Sequence, residues 1–430
     1  MKRLCTYLAT LLLSVLVRGQ AGSVLVIEGQ VTSNGHPVPY ATLQVKGTSI
    51  GVSCNDAGCY ELRLPASCEA DSVLVRSVGY IQAKVSVRRL LRSGQIFLRS
   101  QAVELKEVQV TSYRDGRQLI NAVVERIARN CHQRTSHSTF FFRDWRTLNG
   151  ELYLFDEAVM RVQRAPYSAY ADKRGYQLDP NQREMESNYK FLLRHRLLVA
   201  DRRMLQRNIR KPLGVYQRLE YSDNTDFFDP LSTPQATYTF AKRFLRQHTF
   251  QPIQQFTADS TQYYLVRSEG PNRYKKRARY EYVIRCSDLA LVRLASVQIP
   301  FSQHAPQDAW VNHYFNGFHL DADSSVWTYD LRDSAYTLTR YFNLKTYRLT
   351  SRGRGHDLEQ QRWQQCRDWH LTDFTLAPPP PAGDPIEVRP QTLTDAFGQS
   401  NYSSDFWGRY NSIPIDTLPL RLLQQKLKTP

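Results

Sequence analysis

Residues 24–65 read VLVIEGQVTSNGHPVPYATLQVKGTSIGVSCNDAGCYELRLP. Ala41, Leu43 and Val45 alternate with Thr42, Gln44 and Lys46, and Tyr60, Leu62 and Leu64 alternate with Glu61 and Arg63. A period of two puts one set on a buried face and the other in water, which is the signature of half-buried strands. Asn34-Gly35, Gly47, Gly51, Gly58 and Gly79 punctuate these runs at turn positions. Several short strands at this spacing predict a small β-sandwich.

Outward from this stretch, the first residues read as an export leader. Lys2 and Arg3 precede an apolar run from Leu4 to Val17, with small Val17 and Gly19 at the −3 and −1 sites of a cleavage point. The expectation is a signal peptide over 1–19 and an extracytoplasmic chain, in the periplasm or at the outer membrane. No later stretch is apolar enough for a transmembrane helix. The 430 residues allow two or three domains, and the net charge is +17. Export argues against nucleic acid as the partner of that charge. An anionic envelope lipid or glycan, or an envelope protein, is the expected partner.

Cys54 and Cys59 bracket Asn55-Asp56-Ala57-Gly58. A four-residue turn between paired strands would place them within disulfide reach, so Cys54–Cys59 is a candidate bridge in an oxidising compartment. The other mature cysteines are dispersed, and no Cys/His pair has ligand spacing.

Gly29, Pro39-Tyr40-Ala41, Lys46-Gly47-Thr48, Gly51, Asn55-Asp56-Ala57-Gly58-Cys59-Tyr60 and Ser77-Val78-Gly79-Tyr80 together resemble the carboxypeptidase-regulatory-like (transthyretin-like) domain. Leu105–Val110 resembles its closing strand. The resemblance implies an Ig/transthyretin-like β-sandwich over 20–112, of the kind found in exported proteins of Bacteroidetes type, and brings no activity with it. Asn55 stands where the family usually has a threonine.

Beyond the sandwich, the reading is an α+β domain over 115–376. Asp115 and Gln118 form a capping box before the stripe Leu119, Ile120, Val123, Val124 and Ile127. Asn149-Gly150 predicts a hairpin between 139–148 and 151–164. Phe191, Leu192, Leu198 and Leu205 suggest helices within 165–245. From about 248 the alternation predicts a large, curved antiparallel sheet, with strands at 250–257, 262–268, 278–286, 290–298, 309–320, 326–331 and 335–348. Its pattern is similar to periplasmic lipoprotein-carrier half-barrels. Pro378–Pro381 opens a linker, and 377–430 reads as a tail ending in a short helix. Phe406–Asn411 resembles a segment of long exported proteins carrying the same N-terminal module. The fold class is thus mainly β with an α+β second domain.

Catalytic apparatus is not evident. His356-Asp357-Leu358-Glu359 has one zinc-ligand spacing, but only His370 follows it, and the glycines and arginines around it read as a loop. His313 and His319 lie six apart. Asp156 and Glu157 are adjacent in a strand and face opposite sides. Asp226 and Asp229 read as a solvated turn. No catalytic, cofactor-binding or metal-ligating residue is assigned, and no cofactor is expected. Arg273, Lys275, Lys276, Arg277 and Arg279 crowd one hairpin tip as a candidate anionic-ligand patch. Aromatics at Tyr263, Tyr264, Tyr280, Tyr282, Trp310, Tyr314 and Phe318 either fill the core under covering helices or line a concavity. The leading expectation is a non-enzymatic cell-envelope binding or scaffold protein. The alternative is a carrier of lipid or another amphiphile in the sheet's concavity, and the third is a hydrolase with an unrecognised site.

Overall fold

The computed structural model describes residues 23–100 apart from 49 and 78, 106–107, 113–164, 166–167, 188–200, 229–231, 239–271 apart from 259, 276–303, 317–352, 358–376, 386–387 and 402–428. The leader, the zinc-like His356 and Asp357, and His313, Trp310, Tyr314, Asp226 and Leu205 lie outside the described residues.

The N-terminal strands are β1 (Val24–Ser33), β2 (His36–Pro37), β3 (Thr42–Val45), β4 (Gly51–Ser53), β5 (Cys59–Pro65), β6 (Ser72–Arg76), β7 (Ala83–Ser86) and β8 (Gln95–Phe97). One sheet runs β2-β1-β5 with β8 parallel to β1, and the other runs β4-β3-β6-β7. Helix α1 (Val87–Ser93) leads into β8, with Ser86 as its N-cap. The inward alternation expected from the sequence holds: Ala41, Leu43, Val45, Tyr60, Leu62 and Leu64 are buried in one core. Asn34 and Gly35 carry φ values of 49° and 80°, the left-handed pair that a tight hairpin requires.

The second body is one sheet of fourteen strands. These are β9 (Lys106–Glu107), β10 (Ser136–Leu148), β11 (Glu151–Arg164), β12 (Asn188–Ala200), β13 (Thr249–Phe250), β14 (Gln254–Ala258), β15 (Thr261–Pro271), β16 (Arg277–Arg285), β17 (Leu291–Gln298), β18 (Phe301–Gln303), β19 (Gly317–Arg332), β20 (Ala335–Arg352), β21 (Leu358–Thr375) and β22 (Ile386–Glu387). The main order is β22-β12-β11-β10-β21-β20-β19-β17-β16-β15-β14-β9. Helices α2 (Gly116–Asn130), α3 (Lys242–Leu245), α4 (Ser404–Arg409) and α5 (Thr417–Lys428) complete the fold.

The cap forms as read, with Gln118 N–H donating to Asp115 Oδ1 at 3.0 Å, but Gln118 Oε1 accepts from the N–H of Arg114, one residue before the cap, rather than from Asp115. The apolar stripe of α2 packs on Phe140, Phe142, Ala158, Met160, Tyr280, Tyr282 and Trp369. Leu231, Phe240, Leu245 and Ile253 fill the same core. Tyr280 and Tyr282 are therefore core residues, and the Tyr282 hydroxyl donates to the Thr239 carbonyl at 3.0 Å. Among the described residues, this face of the sheet is occupied by the protein's own side chains.

Three sequence expectations are corrected. Residues 188–200 form β12, not a helix. Residues 358–375, read as following a loop, form an 18-residue strand placed between β10 and β20. It joins the hairpin to the meander. Its buried positions include Gln365, Arg367 and His370 as well as Trp363, Cys366 and Trp369, so no apolar/polar alternation marks it. The strand expected at 326–331 and the described end, 317–320, of the strand expected at 309–320 belong to the single β19, while 309–316 lie outside the described residues.

Candidate functional site

Register across four strands builds one face of the sheet opposite α2. Phe141, Arg143 and Trp145 of β10 stand opposite Val159, Glu157 and Phe155 of β11. On the other side they face His370, Asp368 and Cys366 of β21, which face Arg340, Phe342 and Leu344 of β20. Successive residues alternate between faces, so these twelve side chains share one side. The result is a row of charges of alternating sign: Glu157, Arg143, Asp368 and Arg340.

Each charge is paired. Arg143 Nη2 lies 2.6 Å from Glu157 Oε1. Arg340 makes a two-pronged contact to Asp368, at 3.1 and 2.9 Å. His370 Nε2 lies 2.9 Å from Asp368 Oδ2. Burial alone would push the Asp368 carboxyl up, but Arg340 and His370 together hold it well below the usual carboxylate range. Burial pushes the His370 imidazole below its ordinary value despite Asp368, which favours the neutral ring.

The C-terminal segment covers this face. Ser403 caps α4 by accepting from Phe406 N–H. Trp407 is buried in the same cluster as the sandwich core, with Phe141, Val159 and Ile413. The Tyr410 hydroxyl donates to Thr372 Oγ1 at 2.9 Å. Arg143 donates to the carbonyls of Ile413 at 2.5 Å and Pro414 at 3.2 Å. On its other side the segment grips the sandwich. Asn411 exchanges two hydrogen bonds with the Arg63 backbone, and Arg63 Nη1 donates to the Gly408 carbonyl. Asn55 Nδ2 donates to the Ile415 carbonyl, and Asp56 meets Asp416 and Thr417. Helix α5 continues over Trp145, Phe155 and Val199 through Leu422 and Leu423. The segment read from sequence as a linker and tail is thus a strap between the two bodies. Trp407, Tyr410 and Ile413 bury apolar surface, which contributes roughly 1.5–3 kcal/mol per side chain.

Direct contact between the bodies centres on Tyr40. Its φ of 57° is left-handed, a conformation that non-glycine residues rarely hold. Arg340 Cζ lies 4.0 Å from the Tyr40 ring centroid. This cation–π stack adds to the ring contacts of Arg340, whose Cζ also lies 5.5 Å from the Phe342 ring centroid.

Beside these contacts lies an open cleft of about 330 Å³. The sandwich contributes Thr42, Gln44, Thr48 and β4. The sheet contributes Arg332 and Asp333 from the β19–β20 turn and His370–Phe374 from the end of β21, and the strap contributes Asn411 and Ile413. Hydroxyls, amides and backbone share the lining with apolar side chains such as Leu43, Val52 and Phe374. The arrangement can hold a polar ligand by hydrogen bonds from three parts of the chain at once. None of the residues assigned from sequence as a candidate site lies in it. The sequence signal that could have pointed here was Pro39-Tyr40-Ala41, whose tyrosine marks the docking edge.

Other sequence candidates are placed as follows. Cys54 and Cys59 are both free thiols. The premise for bridging them does not hold, because β4 and β5 belong to opposite sheets. Cys54 points into the core and Cys59 is partly exposed. Asn55 Oδ1 accepts from the N–H groups of Ala57 and Cys59 and so closes the loop. In the basic hairpin tip, Arg277 and Arg279 both pair with Glu269, while Arg273 and Lys275 lie outside the described residues and Lys276 has a partner of its own. His319 contacts Asp321 at 3.2 Å. Asp156 and Glu157 face opposite sides, as the strand period requires.

Asp229 corrects the solvated-turn reading. It is fully buried and accepts from Arg164 at 2.7 Å, Tyr167 at 2.8 Å, Tyr329 at 2.7 Å and the Leu231 N–H at 3.0 Å. A carboxylate with four donors is a structural anchor. A second buried network was equally invisible in sequence. Asp144 accepts from Arg146, Arg367 and Gln365, and the two guanidinium groups outweigh burial to hold its carboxyl below the ordinary range. Among the described residues, no group of three His, Cys, Asp or Glu side chains is placed to hold a metal ion, and no helix is long and apolar enough to cross a membrane.

No curated protein matches the chain. A solved structure of a protein of unknown function from Bacteroides fragilis NCTC 9343 is similar at 9% identity, over 82% of this chain and 99% of that one, with a TM-score of 0.13. That likeness carries no argument about fold or function. Residues 27–110, the sandwich on which the cleft and the strap are built, match the CarboxypepD_reg-like domain. The chain is therefore a protein that carries a carboxypeptidase-regulatory-like domain at its N-terminal side.

Proposed function

We infer that this is a non-enzymatic binding or scaffold protein of the cell envelope, acting through the cleft between its two bodies. The carrying observation is the strap: residues 403–417 fix the sandwich against the sheet and leave a cleft lined by both. A binding site preorganised in this way loses little freedom when it is filled. The buried charges of the site are matched among themselves, which supports a structural rather than a chemical role for Asp368 and His370. The envelope address rests on the leader-like residues 1–19. Packing of α2 against the sheet supports this reading over a carrier, since the apolar face is occupied by the protein's own core.

The test is photo-crosslinking in cells from a benzoylphenylalanine at position 48, on the cleft rim, compared with position 88, which is not among the cleft residues. An adduct specific to position 48 in the envelope fraction is expected. Absence of any adduct, or a cytoplasmic location of the mature chain, overturns the reading.

A further inference from the structure

Strand β4 is the outer strand of its sheet. Its register decides which backbone groups are left over. Val45 N–H donates to the Ile50 carbonyl at 2.9 Å, and Cys54 N–H donates to the Ala41 carbonyl at 2.8 Å. Hydrogen-bonded pairs alternate in an antiparallel ladder, so they fall at 45–50, 43–52 and 41–54. Gly51 and Ser53 occupy the intervening positions, opposite Gln44 and Thr42. Their N–H and C=O groups point away from β3, along the edge that borders the cleft.

Among the described residues, a second unpaired edge lies in the same cleft. Strand β21 pairs with both β10 and β20 as far as His370. From Leu371 to Thr375 its ladder partners are on β10 only. Residues 370–374 and 51–53 line one cavity. Asp333 and Asp373 are exposed at its rim, and among the described lining residues Arg332 is the one Lys or Arg, in a chain whose net charge is +17.

We propose that the cleft binds an extended peptide that adds as a strand to β4 and presents a basic side chain or a free amino group to Asp333 and Asp373. The inference rests on the binding reading above and names the ligand class. Donors and acceptors at every second residue are matched by an extended main chain, whose groups repeat at the same period. A sugar could meet the hydroxyls of Thr48 and Thr372, but it would leave that repeat unmatched. The two acidic groups complement a cation and disfavour an anionic ligand.

The test begins with a phage-displayed library of short linear peptides selected on the full chain. The enriched peptide is synthesised, and its binding is followed by fluorescence anisotropy. N-methylation of alternate amides is expected to weaken binding about tenfold or more at one parity and little at the other. Ser53→Pro removes one outward N–H without removing a ladder bond and is expected to weaken binding similarly; a thermal melt and binding of a peptide methylated at the tolerated parity check that the variant is folded. Asp333→Asn with Asp373→Asn is expected to weaken binding and flatten its salt dependence. Failure to enrich any peptide, equal tolerance of methylation at both parities, or unchanged affinity in folded Ser53→Pro overturns the proposal. If crosslinking at position 48 instead captures a glycan or lipid, the peptide inference fails and the binding reading stands. If it captures nothing, both fail.

Discussion

Asp56 and Asp416, 360 residues apart, sit at the two ends of one hydrogen-bonded joint. Asp416 Oδ1 accepts from Asp56 N–H at 2.9 Å. Asp56 Oδ1 in turn accepts from both the N–H and the hydroxyl of Thr417, each at 2.8 Å. The first aspartate belongs to a sandwich turn and the second opens α5. The turn that the carboxypeptidase-regulatory-like domain carries in its own right is thus used here as the seat of the C-terminal helix.

Asp56→Ala removes both acceptor contacts to Thr417. A loss of about 1–3 kcal/mol is expected from urea titration, because the donors become partly buried without partners. Hydrogen exchange should accelerate over 403–428 while β6 and β7 stay protected. Asn55→Thr should have a smaller effect of the same kind, since a threonine side chain is too short to serve both the turn and the Ile415 carbonyl.

Arg143→Met should cost about 1–3 kcal/mol, because it removes one buried ion-pair partner of Glu157. The double variant with Glu157→Leu should recover much of that loss. Residual destabilisation in the double variant measures the two strap carbonyls, Ile413 and Pro414, that Arg143 also serves. Chemical denaturation of the four members of the cycle gives the comparison.

Two carboxyls of the joint respond to pH in opposite senses. Asp368 is held below its ordinary value of 3.8 by Arg340 and His370, against the effect of burial. Its stabilisation is fully present above pH 3.8 and is lost as pH falls towards the lowered value. Asp416 is raised above 3.8, first by burial and then by its acidic neighbours. Its stabilisation is fully present below pH 3.8 and is lost as pH rises through the raised value. Asp416→Asn keeps the side-chain oxygen that Asp56 N–H needs. It should therefore stabilise the protein at pH 7, with the gap closing near pH 4, as read from urea midpoints at the two pH values. An equal gap at both would contradict the assignment.

Thiol labelling checks the loop of the sandwich. Cys59 and Cys286 are partly exposed and should react with iodoacetamide in the native state. Burial pushes the Cys286 thiol up to about 11, so its labelling should quicken with rising pH. Cys54, Cys131 and Cys366 are buried and should label only on unfolding. A Cys54–Cys59 bridge would instead leave Cys59 unlabelled and the intact mass two hydrogens lighter.

The sandwich was legible because its strands are amphipathic and local. The alternation at Ala41–Val45 and Tyr60–Leu64, with Asn34-Gly35 at φ > 0, sets face, length and turn from neighbouring residues alone. The helix from Asp115 and the Asn149-Gly150 hairpin were readable for the same reason. β21 was not. Its Arg367, Asp368 and His370 look like surface residues, and only pairing with Asp144 and Arg340 on neighbouring strands makes their burial tolerable. The β4–β5 loop also misled, because a five-residue connection is the same length whether it closes a hairpin or crosses between sheets.

The sequence by itself thus determined the leading domain, its turns and its match to a known module, since period and turn chemistry act over a few residues. Tertiary structure alone decided that the C-terminal residues strap that module to a fourteen-stranded sheet, and that a cleft bordered by two strand edges unpaired among the described residues lies between them. Those features depend on contacts between residues hundreds of positions apart, such as Asp56 with Asp416 and Arg143 with Ile413. No local pattern encodes such a contact, because each side chain's charge is stabilised or penalised only by what the fold brings beside it.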